Sequence, residues 1–178
     1  AMESTAAVRL PGPLGRFHDR YPDVALELYS GDPRDLVNKV LHSELDAALI
    51  ADPVSDRRLE TMAIYDEELV IVAEAKHGTI ASPKDLPSKS ILAFHPGCPH
   101  RKRLEDWFAR GHVIPERIVE VGSYHLILGC VAVGMGVALV PHSVLETYTD
   151  GDRLSVHELR AKVGRGQTRL VGCTEAAQ

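Results

Sequence analysis

Three short apolar runs, Ser90–Phe94, Arg117–Val121 and Val137–Val140, alternate with two helix-like stretches, His100–Arg110 and Ser123–Val133. Strand, helix, strand in that order is the mark of βαβ units, whose crossovers place strands parallel and helices on the sheet faces. An earlier stretch repeats the pattern. Val24–Tyr29 alternates apolar and polar residues as a half-buried strand does, and the turn Ser30-Gly31-Asp32-Pro33 opens a helix over Pro33–His42. Asp46–Ile50 then reads as a strand stopped by Asp52-Pro53. The expectation is an α/β fold with a largely parallel sheet.

The remaining elements fit around that frame. Residues 4–21 carry Leu10, Leu14 and Phe17 at helical spacing, with Pro11, Gly12 and Pro13 predicting a kink or a late start. Leu59–Ala75 is strand-like with a joint at Asp66-Glu67-Glu68, and Leu69-Val70-Ile71-Val72 within it reads as buried on both faces. Two last strands, Leu154–Leu159 and Thr168–Thr174, flank a basic loop over Arg160–Arg169. A chain of 178 residues can bury a real core without covalent staples.

Composition narrows the function classes. Net charge is −5 and the pI about 6.0, which argues against direct binding to nucleic acid or an anionic membrane through bulk charge. The longest apolar candidate for a membrane span, Leu126–Pro141, is interrupted by Gly129, Gly134 and Gly136. Cys98, Cys130 and Cys173 form no CxxC pair, so a reducing compartment fits and a disulfide framework does not. Ala1-Met2-Glu3 lacks a signal-peptide pattern. An opening on Ala1 and an ending in Glu175-Ala176-Ala177-Gln178, just past a strand, read as an excised piece.

The residues that carry chemistry sit where helices begin. Ser4-Thr5, Ser30-Gly31-Asp32, Gly97-Cys98-Pro99 and Gly122-Ser123 each precede or open a helix. Free N–H groups and the positive dipole end there favour an anion by about 0.3–2 kcal/mol. In an open α/β sheet such turns lie at the carboxyl ends of strands, where ligands bind. Plain capping explains any one turn alone; several together point to a site. His95-x-x-Cys98-x-His100 has no second ligand cluster at zinc spacing. Gly134-x-Gly136 follows a helix and precedes a strand, the reverse of a dinucleotide loop. Neither HExxH nor GxSxG occurs, and the pairs Asp66-Glu67-Glu68 and Glu105-Asp106 read as solvated faces.

Several segments resemble the effector-binding domain of LysR-type transcriptional regulators. They are Glu3-Ser4-Thr5-Ala6-Ala7-x-Arg9-Leu10-Pro11, Phe17-His18-x-Arg20-Tyr21-Pro22-x-Val24, Leu45–Leu49, Glu67–Val72 and Pro96-Gly97-Cys98-x-His100-Arg101. Val131-Ala132-Val133-Gly134-Met135-Gly136-Val137-Ala138-Leu139-Val140-Pro141 is the most specific of them. The resemblance runs in order from Glu3 to about Thr174. It implies two Rossmann-like lobes with a ligand cleft, similar to type 2 periplasmic solute-binding proteins. Lobe I would comprise 1–52 plus 166–178, and lobe II 53–165. The family's N-terminal winged helix-turn-helix and linker helix have no counterpart here. Its first strand is reduced to a stub, and its closing helix is missing.

Carried over by position, the implied effector contacts are Ser4 and Thr5; Ser30, Gly31 and Asp32; Phe94, Pro96, Gly97 and Cys98; and Ser123. The expected effector is a small molecule, a carboxylate or other anion, although Asp32 would repel one nearby. No cofactor, metal or catalytic residue is implied. The resemblance further implies a cytoplasmic protein with no membrane partner. It would be a homodimer, tetrameric at full length, touching DNA only through the missing N-terminal domain. Two alternatives stand beside this sensing module: a periplasmic-type solute-binding protein, and a thiol-based redox sensor or enzyme centred on Cys98. The start of the following helix would favour the Cys98 thiolate, with Arg101 and Arg103 near in sequence.

Overall fold

The computed structural model describes residues 1–51 and 53–174. In chain order it begins with α1 (Glu3–Val8), α2 (Pro11–Arg20), α3 (Pro33–Leu41), β1 (Ala47–Ile50) and β2 (Leu59–Glu74). There follow β3 (Ser90–Ala93), α4 (Pro99–Arg110), β4 (Arg117–Glu120), α5 (Tyr124–Ala132) and β5 (Ala138–Pro141). The short α6 (His142–Leu145), β6 (Leu154–Glu158), the short α7 (Ala161–Gly164) and β7 (Arg165–Cys173) come last.

The chain divides into two compact units, Ala1–Asp66 with the chain from Gln167 onward, and Glu67–Gly166. Asp52, near which the resemblance implies that the chain leaves the first lobe, lies outside the described residues, as do Glu175–Gln178. The outgoing division falls later, at Asp66/Glu67. β1 ends at Ile50, but β2 runs unbroken from Leu59, whose side chain belongs to the first unit's core. The charged joint Asp66-Glu67-Glu68 is where the strand passes from one unit to the other.

In the first unit β1 pairs antiparallel with β7, from Ala47 opposite Gly172 to Ile50 opposite Arg169. Against them α3 buries Leu36 and Val40, which join Met2, Ala48, Ile50, Leu59 and Val171 in one cluster. That helix starts where it does because Pro33 has no N–H to satisfy and the Asp32 carboxylate accepts from the Arg34 N–H at 2.7 Å. The helix expected over 4–21 is two helices, broken at Arg9–Leu10. Pro11 cannot donate into the preceding turn and instead takes a first-turn position of α2.

Val24–Tyr29 is not a strand. Val24, Leu26, Leu28 and Tyr29 are 47%, 48%, 56% and 44% exposed, and no ladder pairs them among the described residues. Alternation encodes two faces, but a strand also needs an edge to bond to. Only the end of this segment has one: Ala1 nitrogen bonds the Tyr29 carbonyl (2.7 Å) and the Gly31 N–H donates to the Ala1 carbonyl (3.2 Å). Met2 N–H turns the other way, to the Leu49 carbonyl at 3.1 Å.

In the second unit β2 lies between β5 and β6, antiparallel to both. Strands β3 and β4 are parallel, and Ile91 of β3 bridges in parallel to Val137, just ahead of β5. Parallel pairing is therefore confined to the β3-α4-β4-α5-β5 stretch, where helical crossovers exist; the other described ladders are antiparallel. Leu69, Val70, Ile71 and Val72 are each 0% exposed, as strands on both sides and side-chain layers on both faces require. Ile71, Ile80, Ile91, Leu104, Phe108 and Leu139 form the heart of this core. Gly136, at φ +155°, passes so close to β3 that a Cβ would stand 2.4 Å from the Ser90 carbonyl oxygen.

Candidate functional site

The parallel strands β3 and β4 end side by side, the Val121 N–H donating to the Ala93 carbonyl at 2.9 Å. The turns Phe94–Cys98 and Gly122–Ser123 thus leave the same carboxyl edge, where an open α/β sheet holds ligands. Cys98 is the N-cap of α4 and Ser123 the N-cap of α5, and neither side chain closes back on its own helix. Gly97 at φ +108° makes the sharp turn, with the Cys98 N–H donating to the His95 carbonyl at 3.2 Å. Phe94 and Ser123 are half-buried, Pro96 and Gly97 exposed, and Cys98 buried at 6%. The second unit thereby assembles five of the ten expected residues.

Two buried side chains tie these helix starts together. His100 Nδ1 and the Tyr124 hydroxyl share a hydrogen bond, and the Phe94 ring packs on Tyr124 with centroids 4.8 Å apart. Burial, reinforced by the Arg103 charge, pushes the His100 imidazole down to about 4, so it is neutral at pH 7. Sequence reasoning meets His100 only as a metal-ligand candidate and passes over Tyr124. The one clue is a tyrosine directly after a cap in an otherwise apolar helix. Arg101 is committed elsewhere: it donates to the Phe94 carbonyl (3.0 Å), Glu105 (2.9 Å) and Glu120 (3.3 Å). Two carboxylates answer the positive charge expected beside Cys98.

The first unit gathers the other five. Ser4 and Thr5, in the first turn of α1, are 7% and 4% exposed. The N-cap of α1 is Met2, which offers no side-chain cap. The Gly31–Ala1 backbone bond holds the turn Ser30-Gly31-Asp32 beside this helix start. Ser30 is exposed, and the Asp32 carboxylate serves as the cap of α3. Tyr29, which the sequence does not single out, lays its ring along Gly31: a Cβ there would meet Tyr29 Cε1 at 2.9 Å. Its hydroxyl donates to Asp35 at 3.0 Å, and Lys39 lies 5.1 Å over its ring.

Hydroxyls, a buried thiol, a neutral imidazole–phenol pair and backbone turns are binding groups. Among the described residues no group of three or more His, Cys, Asp or Glu side chains could hold a metal ion, and none of the three cysteines is in a disulfide. No helix among them is long and apolar enough to cross a membrane.

Residues 1–176 match the family described as the LysR substrate binding domain, and the chain belongs to that family. The HTH-type transcriptional regulator GltR of Bacillus subtilis (strain 168) is 34% identical over 171 residues, covering 96% of this chain and 58% of that protein. The chain thus spans a little over half the length of such relatives. Among solved structures, the regulatory domain of CcmR from Synechocystis PCC6803, in complex with 2-PG, superposes with a TM-score of 0.84. It has 18% identity and covers 99% of this chain and 86% of that one. The reduced form of the OxyR2 regulatory domain from Vibrio vulnificus gives 0.81 at 18% identity, over 99% and 85%. The fold is the two-lobed, type 2 periplasmic-binding-protein-like α/β fold of LysR-type regulatory domains.

Proposed function

We propose that this chain is the sensing part of a LysR-type transcriptional regulator, taking a small anionic metabolite at the helix starts described above. The ten residues named above are its candidate contacts, five in each unit, and occupancy controls DNA binding by a separate helix-turn-helix domain. The observation that carries this reading is the placement of buried Ser4 and Thr5 in the first turn of α1, a helix start that no side chain caps. A hydrogen bond from either hydroxyl to a charged ligand oxygen is worth about 1.5–3 kcal/mol. The chain is net acidic at −5, so an anion is drawn by local donors and not by bulk charge. Cys98 enters as a wall of the site: at 6% exposure it lacks the accessibility that a redox thiol uses. The helix-turn-helix name of GltR favours a regulator over a transport-linked binding protein. The working protein is a cytoplasmic homodimer or tetramer without catalytic activity.

A thermal-shift and calorimetric screen of small carboxylates and phosphorylated acids tests this. A true effector raises the melting temperature without being consumed, and Thr5→Val weakens it by about 1–3 kcal/mol while leaving the unliganded fold nearly as stable. No stabilising compound, or equal affinity in the variant, overturns the reading.

A further inference from the structure

His157, on β6 in the second unit, has both ring nitrogens committed. Its Nδ1 receives the Ile80 N–H at 3.2 Å, so the ring proton must sit on Nε2. Nε2–H then donates to Ser155 Oγ at 3.0 Å, and the Ser155 hydroxyl donates in turn to the Glu74 carbonyl at 3.0 Å. The chain of donors runs one way and permits a single neutral tautomer. Ile80, held by this chain, is 3% exposed and belongs to the core cluster with Ile71, Ile91 and Phe108. A proton added at Nδ1 would face the Ile80 N–H donor to donor and break the bond.

We propose that His157 is a proton-sensitive latch: neutral, it holds the loop after β2 with Ile80 in the core; protonated, it lets go. The nearest titratable neighbour stands against charging it. His77, on that loop, packs edge-on to His157 with centroids 6.3 Å apart, and its Nε2 is buried without a hydrogen bond among the described residues. The other charged groups nearby do not rescue a cation. Asp85 is taken by the N–H groups of Ala81 (2.9 Å) and Ser82 (2.7 Å), Glu74 pairs with Lys76, and Glu158 is the next residue along β6. Burial first, and His77 second, hold the His157 pKa below its ordinary 6.5. The sign follows: the latch is at full strength above about 6.5 and weakens as pH falls below it. The domain would respond to protons just below neutral pH independently of any effector.

Hydrogen exchange of the Ile80 amide, followed by NMR from about pH 7.5 to 5.5 and corrected for intrinsic chemistry, tests the latch in the 178-residue chain. Protection should be flat above about 6.5 and fall by up to about tenfold per pH unit below it. His157→Asn should remove that slope, whereas Ser155→Ala should keep it at lower overall protection. Flat protection in the unmodified chain, or an unchanged slope in His157→Asn, overturns the proposal. Should His157→Asn not fold, titration of the His157 ring decides instead. A midpoint below about 6.5 supports the latch, and one at or above that value overturns it.

Discussion

The two units supply equal numbers of candidate contacts, yet they hold them in opposite ways. In the second unit the polar turns are locked from within, by the Val121–Ala93 backbone bond, the His100–Tyr124 bond and the Arg101 grip on the Phe94 carbonyl. In the first unit Ser4 and Thr5 are buried at a helix start that no side chain caps, and Val24, Leu26 and Leu28 lie open. A turn whose bonds are already made gives up little on meeting a ligand. An uncapped helix start gains the most. Binding energy should therefore concentrate at the start of α1, and shape selection at the starts of α4 and α5.

The contrast can be broken at several levels. Phe108 is 0% exposed in the second core, and Phe108→Ala should cost about 3–5 kcal/mol in chemical denaturation. An equal or greater loss from Leu36→Ala in the first core would show the units to be packed alike. Acid comes next. His100 is neutral in the fold, with its pKa lowered to about 4 from 6.5, so its contribution is whole above 6.5 and is lost as pH falls toward 4. Because His157 acts in the same direction, the useful quantity is the difference between the unmodified chain and His100→Asn. That difference should reach about 3 kcal/mol between pH 7 and 4, and a parallel pH dependence in the two proteins would refute the assignment. Asp32→Ala should cost about 1 kcal/mol by removing the cap of α3; a neutral result would reassign Asp32 from capping to the ligand. Leu26→Ser, at an open position, should change stability by less than about 0.5 kcal/mol.

Sequence periodicity reveals whatever a single element decides for itself. Leu104, Trp107 and Phe108 share one face of α4, and that face is the buried one. Cys98 and Ser123 fall at strand-to-helix turns because glycine and a small polar residue mark such turns. What escapes is whatever depends on a distant partner. His100 and Tyr124 are 24 residues apart, and no spacing rule joins them. Val24–Tyr29 has the alternation of a strand but no ladder among the described residues, and the antiparallel ladders of β2 depend on connections without helices.

Trp107 is the only tryptophan in the chain, and it is 7% exposed with its ring against Phe108 in the second core. Its fluorescence therefore reports on one unit alone. The first unit carries Tyr21, Tyr29 and Tyr65 but no indole, so its melting is silent at excitation wavelengths selective for tryptophan. Circular dichroism, which sums over both units, would register it. A separation of the two traces along a denaturation curve would be the optical signature of units that unfold independently, and coincident traces that of a single cooperative fold.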